Sequence, residues 1–284
     1  MNSIEKLLSD TSSILEKLHS KVCKLALLVH KKASNIAVRS ELGRYPISIN
    51  IISQVAKYFI NVCNRDDTCI IKDALKLQNI LYNTVPRRSW FTLLINITKQ
   101  LPWRVVYNNE NGYIQNSDIK KLLLTRYERE SSKLLKSNSK LELLCKVKNV
   151  FGVSQYLKYL NDYRHRKAFT IYRISAHKLP IELGRYRSVQ RDQRICTLCQ
   201  SGDIGDEYHY FMKCTDIYLH GIRKTYLKSI FTCNTQLKYL PEDSLFVYLL
   251  SGFDRTIVQE TAQYIFEILS HYSKICTDHR PHSI

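Results

Sequence analysis

Apolar residues recur near the start of the chain in steps of four and three: Ile4, Leu8, Leu15, Leu18, Val22, Leu25 and Val29, with Thr11 the one interruption. That period is helical, and a row so spaced suits either a core or a second helix, which makes residues 4–29 a candidate for helix-mediated self-association. Gly43-Arg44-Tyr45-Pro46 breaks the pattern, because Gly readily ends a helix and Pro restarts the chain in extended geometry. Helical spacing resumes at 47–63, 70–81 and 89–100, with Pro86, Pro102 and the polar stretch 108–112 marking turns. Ser117 is placed to cap a long basic helix ending near residue 136, and another follows at 140–147. Over 154–175 the row Leu157, Leu160, Ala168 and Ile171 predicts a further helix, with Lys158, Arg166 and Arg173 on the opposite face. Arg164 falls on the row itself, so its charge needs a partner, a path to solvent or a bound phosphate. Asp254 can cap a last helix whose row includes Ile257, Tyr264, Ile268 and Tyr272.

These periods predict a mostly α-helical protein, and 8 Gly and 6 Pro in 284 residues are few turn formers for a sheet-rich alternative. We read a helical N-terminal segment over 1–115, a basic helical region over 116–232 and a C-terminal helical segment over 233–284. A hydrophobic content of 44% supports a buried core and excludes general disorder. The longest apolar run, 245–250, falls far short of the roughly 20 residues needed to cross a bilayer, and the first residues lack a hydrophobic leader. The expected location is intracellular, nuclear or cytoplasmic, with no membrane.

Charge narrows the choice of partner. The chain carries +18, and residues 120–194 alone hold 19 basic and 6 acidic side chains, whereas 195–284 hold 8 and 10. A cationic block interleaved with tyrosines suits a polyanion, since phosphates are neutralised by Lys and Arg while bases stack on rings. We expect phosphate contacts from Arg164, Arg166, Lys167, Arg173, Arg185, Arg187, Arg191 and Arg194, and stacking from Tyr186 and Tyr208. RNA and DNA are both candidates.

The sharpest local signal is Cys196, Cys199, His209 and Cys214, a C-x2-C-x9-H-x4-C spacing. Two thiolates two apart form a knuckle that grips one side of a zinc ion, and a His and a Cys about a helical turn apart can close the tetrahedron. Four protein ligands leave no open position, so one structural Zn²⁺ is expected in a CCHC unit over 196–214. The other cysteines, Cys23, Cys63, Cys69, Cys145, Cys233 and Cys276, show no such grouping, and most of them read as small core residues. His177 and His220 lack the spacing of ligands. The pentapeptide Glu-Leu-Gly-Arg-Tyr stands at both 41–45 and 182–186 without matching flanks, which suggests two similar helix exits and no duplicated domain.

With those residues in view, Arg-Ile-Ser-Ala-His-Lys-Leu-Pro-Ile-Glu-Leu-Gly-Arg-Tyr at 173–186, Arg194-Ile-Cys-Thr-Leu-Cys and the stretch from Ile204 to Cys214 resemble a known family. They look like the zinc-binding region that follows the reverse transcriptase domain in non-LTR (LINE-type) retrotransposon polyproteins. Residues 33–46 also look like the segment after the polymerase. The resemblance implies that Cys196, Cys199, His209 and Cys214 hold the zinc and that the region binds template RNA or target DNA. The polymerase itself is missing: the one Asp-Asp is Asp66-Asp67, beside Asn64-Arg65, a surface turn in character and no hydrophobic hairpin for two metal ions. Some such polyproteins carry an endonuclease further on, and Pro241-Glu-Asp243 with Asp254 resembles its start, but no Lys follows at a suitable spacing. The expectation is therefore a non-catalytic, zinc-containing nucleic-acid-binding region. The competing readings are a helical protein-interaction adaptor with a structural zinc and a non-functional fragment of an inactive element.

Overall fold

In the structure, a computed structural model that describes residues 14–66, 68–84 and 116–278, the chain is mostly α-helical. Its helices are α1 (Ile14–Ala26), α2 (Asn35–Leu42), α3 (Ile47–Cys63), α4 (Ile70–Thr84), α5 (Asn116–Ser137) and α6 (Glu142–Val147). There follow α7 (Tyr156–Tyr159), α8 (Tyr163–Arg173), α9 (Pro180–Tyr186), α10 (Ile217–Cys233), α11 (Glu242–Ser251) and α12 (Arg255–Asp278). Two compact units are interleaved in sequence, one of Met1–Ser20 with Tyr45–Lys133, the other of Lys21–Arg44 with Leu134–Ile284. The boundary read at 232–233 lies inside the second unit, in the last turn of α10. No helix among the described residues is long and apolar enough to cross a membrane.

In the first unit α3 buries Ile49, Ile52, Ala56, Phe59 and Val62 at helical spacing, packs on α4 and so builds one side of a small core. Pro46, its first flanking residue, has no side chain to cap the helix. The buried carboxylate of Glu16 serves instead, accepting from the Ser48 N–H at 2.8 Å where the helix dipole favours an anion. Tyr45 meets Tyr127 of α5 edge-on, with ring centroids 5.8 Å apart, and its hydroxyl donates to Glu128. The helix read at 47–63 has those bounds here, and the one read at 70–81 continues to Thr84. The 89–100 helix, Asp67, and Ile4 and Leu8 of the first apolar row lie outside the described residues.

The second unit is organised on α12, against which α8, α10 and α11 pack. Asp254 caps it as expected, accepting from the Ile257 N–H at 2.9 Å, and Ile257, Tyr264, Ile268 and Tyr272 are buried. The single helix read over 154–175 is two. Asp162 caps α8 by accepting from the N–H groups of Arg164 and His165 at 2.7 and 3.3 Å, since a short polar side chain competes with a continuing helix. At the exit of α2, Gly43 takes φ +58°, and a Cβ there would stand 2.6 Å from the Val153 nitrogen, so only glycine fits.

Candidate metal centre

Cys196 and Cys199 sit on a tight hairpin. Its arms are joined by bonds from the Cys196 N–H to the Asp203 carbonyl and from the Gly205 N–H to the Arg194 carbonyl, both 2.8 Å. Within the knuckle the Leu198 N–H points at the Cys196 sulfur, 3.4 Å away. The other two ligands flank a π-helical turn, His209–Lys213, whose closing bond from the Cys214 N–H to the His209 carbonyl is 2.7 Å. This wider turn places residues five apart together, so the C-terminal half of the spacing is π-helical in origin. Phe211, in the middle of the turn, is fully buried with its ring 4.9 to 5.8 Å from those of Tyr264, Phe246 and Tyr226, which fixes the turn in the core.

The four ligand atoms lie within 4.8 Å of one another. The Cys196 and Cys214 sulfurs are 3.8 Å apart, and the Cys199 sulfur is 3.3 Å from Nε2 of His209. A disulfide needs about 2.05 Å, whereas Zn–S bonds of about 2.3 Å in a tetrahedron set sulfurs about 3.8 Å apart. The donor set and spacing therefore fit a tetrahedral thiophilic metal, with Cys196, Cys199, His209 and Cys214 as its ligands. The hydrogen bond between the Cys214 thiol and Cys196 pulls the Cys196 pKa well below the ordinary thiol value and raises that of Cys214.

Around these four residues lies a polar support for which the local sequence carries little signal. Asp206 accepts from the His209 backbone N–H at 2.9 Å. Buried Glu207 binds the Ser175 hydroxyl at 2.6 Å and Nε2 of His177 at 2.8 Å, while its own carbonyl accepts from Tyr172. Burial alone raises the pKa of Glu207, but the attraction of His177 and the bonds from His177 and Ser175 outweigh it, and the carboxyl is net lowered. His177 is thus a satisfied core residue, bonded through Nε2 to Glu207 and through Nδ1 to the Leu179 N–H. From α10, buried Arg223 donates to the carbonyls of Tyr210, Phe211 and Cys214. A signal for it existed: Leu219, Arg223, Tyr226 and Ile230 share one buried row at 4-3-4 spacing, and Arg is the misfit.

The basic candidates separate by burial. Lys167 and Arg187 are exposed; so are Arg164, bonded to Asp162 at 3.2 Å and lying over Phe266, and Arg191, paired with Glu142 at 3.4 Å. Arg185 and Arg191 line a cavity of about 470 Å³ with Lys140, Lys146 and Tyr208, and Tyr186 stands exposed with Lys140 over its ring. Arg185 is engaged by Glu182 and Ser139, and Tyr208 by Glu242. Arg166 is half-buried. Two expectations need correction. Arg173 is 1% exposed, bound to Glu41 at 3.0 Å and to the carbonyls ending α11, so it cannot meet a phosphate. Arg194 lies across Gly184 with its guanidinium on the carbonyls of Ile181 and Val189, a structural clasp at the base of the Cys196–Cys199 hairpin. No protein-family model, curated protein or solved structure matches the chain.

Proposed function

We propose that this chain is a non-catalytic, zinc-structured nucleic-acid-binding region of the kind that follows the polymerase in non-LTR retrotransposon polyproteins. One observation carries the reading: two pairs of side chains, Cys196 with Cys199 on a hairpin and His209 with Cys214 at a π turn, converge to tetrahedral spacing. They do so in the same unit as much of a sequence block that holds 19 basic against 6 acidic side chains. Zinc supplies folding energy here, since four protein ligands leave no position for a substrate, and thiolate binding to zinc in such peptides contributes about 10–16 kcal/mol at neutral pH. Arg164, Lys167, Arg187 and Arg191 remain as exposed phosphate contacts, with Tyr186 as the exposed ring on which a base can stack. Elemental analysis of the purified protein is the direct test: one zinc per chain in the wild type, lost together with the fold of 194–214 in Cys199→Ser. A well-folded wild type that holds no metal sinks the proposal.

A second reading, a helical protein-interaction adaptor, has a specific observation in its favour. Leu15, Leu18, Val22 and Leu25 of α1 are between 50% and 62% exposed, an apolar row left open by the described residues.

A further inference from the structure

The Arg223 side chain has an unusual environment for its charge. It is 8% exposed, and among the described residues no carboxylate pairs with it. Its Nε donates to the Phe211 carbonyl at 2.9 Å, and its Nη2 to the carbonyls of Cys214 at 2.9 Å and Tyr210 at 3.4 Å. Every one of those acceptors belongs to the π turn or to the ligand that ends it. Arg173, another buried arginine of this unit, is by contrast matched to the carboxylate of Glu41. Carbonyl dipoles accept from Nε and Nη2 of Arg223 but leave its net charge in a poorly solvated place, which is costly without a counter-charge.

The candidate metal centre offers that counter-charge. Three cysteine thiolates and a neutral histidine around Zn²⁺ leave the complex with a net charge of minus one, itself buried. We propose that Arg223 is the charge partner of the metal centre: it positions Cys214 through that residue's carbonyl and offsets the negative charge of the zinc–thiolate complex. The inference rests on the zinc reading above. It assigns to α10, a helix that supplies no ligand, a share in metal affinity, and it explains why an arginine occupies a row otherwise filled by Leu219, Tyr226 and Ile230. Partners outside the ligand set commonly change metal affinity ten- to a hundredfold.

The test is Co²⁺ titration, read in the tetrahedral thiolate bands, together with Zn²⁺ competition against a chromophoric chelator. It compares wild type, Arg223→Met, Arg223→Lys and Ile230→Ala. Met preserves length without charge, Lys preserves charge without the fork, and Ile230→Ala loosens α10 at a buried position away from the turn. We expect about a 10- to 100-fold loss of affinity in Arg223→Met, with much of it recovered in Arg223→Lys, and Ile230→Ala close to wild type. Equal affinity in wild type and Arg223→Met overturns the inference. So does a Lys variant no better than Met, which reduces Arg223 to a cap on carbonyls. If Arg223→Met does not fold, by far-UV circular dichroism, the comparison of Lys with Ile230→Ala decides in the same way. A wild type that takes up neither metal removes the zinc reading itself, and the inference with it.

Discussion

Glu41 and Glu182 hold the same place in the two copies of Glu-Leu-Gly-Arg-Tyr, and both carboxylates are buried beside cations. Glu41 meets Arg173 at 3.0 Å; Glu182 meets Lys140 at 3.0 Å and Arg185 at 3.1 Å. The glycines two residues on each admit a close neighbour, the backbone at 152–153 over Gly43 and the Arg194 side chain over Gly184. The repeated pentapeptide thus marks two places where a short helix is stitched into the core by a buried ion pair. Removing one partner of such a pair leaves a buried charge uncompensated, which costs about 3–5 kcal/mol. Arg173→Ala is expected to lose about that much in urea denaturation. Glu41→Leu combined with Arg173→Met should recover more than half of it, because two apolar side chains replace a pair without orphaning a charge. Additive losses in the double variant would show that Arg173 acts by packing on Tyr156 and Phe169 alone. Nothing in the local spacing of 154–175 could have revealed this role, since the partner lies 132 residues away in sequence.

Among the elements, helices with a clean apolar row were legible with nearly correct ends: α3, most of α4, and α12 with its Asp254 cap. Periodicity failed where a cap competed with it, as at Asp162, and where a row carries a charged or aromatic misfit, as α10 does at Arg223. The Cys/His cluster was legible because metal-ligand chemistry fixes both residue type and spacing; the π turn behind His209 and Cys214 was not, since it depends on Phe211 being held by rings from α10, α11 and α12. The α1 row is helical as its period predicts, but Leu15, Leu18, Val22 and Leu25 face outward, and Glu16, Ser20, Cys23 and Leu27 are the buried face. Rows with a 3-4 spacing pair with another helix of the same spacing, and the seam continues in sequence through Leu8 and Ile4. Self-association through α1 is the expected consequence. Sedimentation equilibrium should show a dimer in the wild type and a monomer in Leu18→Lys/Leu25→Lys, with helicity unchanged because both residues are exposed. A wild type that stays monomeric at every concentration tested refutes it.

At the scale of the whole molecule, the charge distribution makes a distinct demand. A chain of +18 with its excess concentrated in 120–194 attracts polyanions whatever its fold, so affinity alone says little. The salt dependence says more, because each neutralised phosphate steepens the fall of log affinity with log salt by about 0.9 for duplex DNA and about 0.7 for single strands. If Arg164, Lys167, Arg187 and Arg191 each touch a phosphate, replacing all four with Ala flattens the slope by up to about three units on single-stranded RNA and about three and a half on duplex DNA. The loss should be shared by all sequences, as phosphates carry no base identity. Arg164 and Arg191 must leave Asp162 and Glu142 to reach a phosphate, so their shares are the smaller ones. Two exposed lysines outside the block, Lys224 and Lys228 of α10, serve as a control of similar charge chemistry, and Lys224→Ala/Lys228→Ala should change the slope little. Filter binding between low and moderate salt reads all three proteins. A quadruple variant that keeps its helicity yet binds with wild-type affinity and slope would mean that the block is a solvated surface. The exposed row of α1 would then be the feature that defines this protein, as an adaptor.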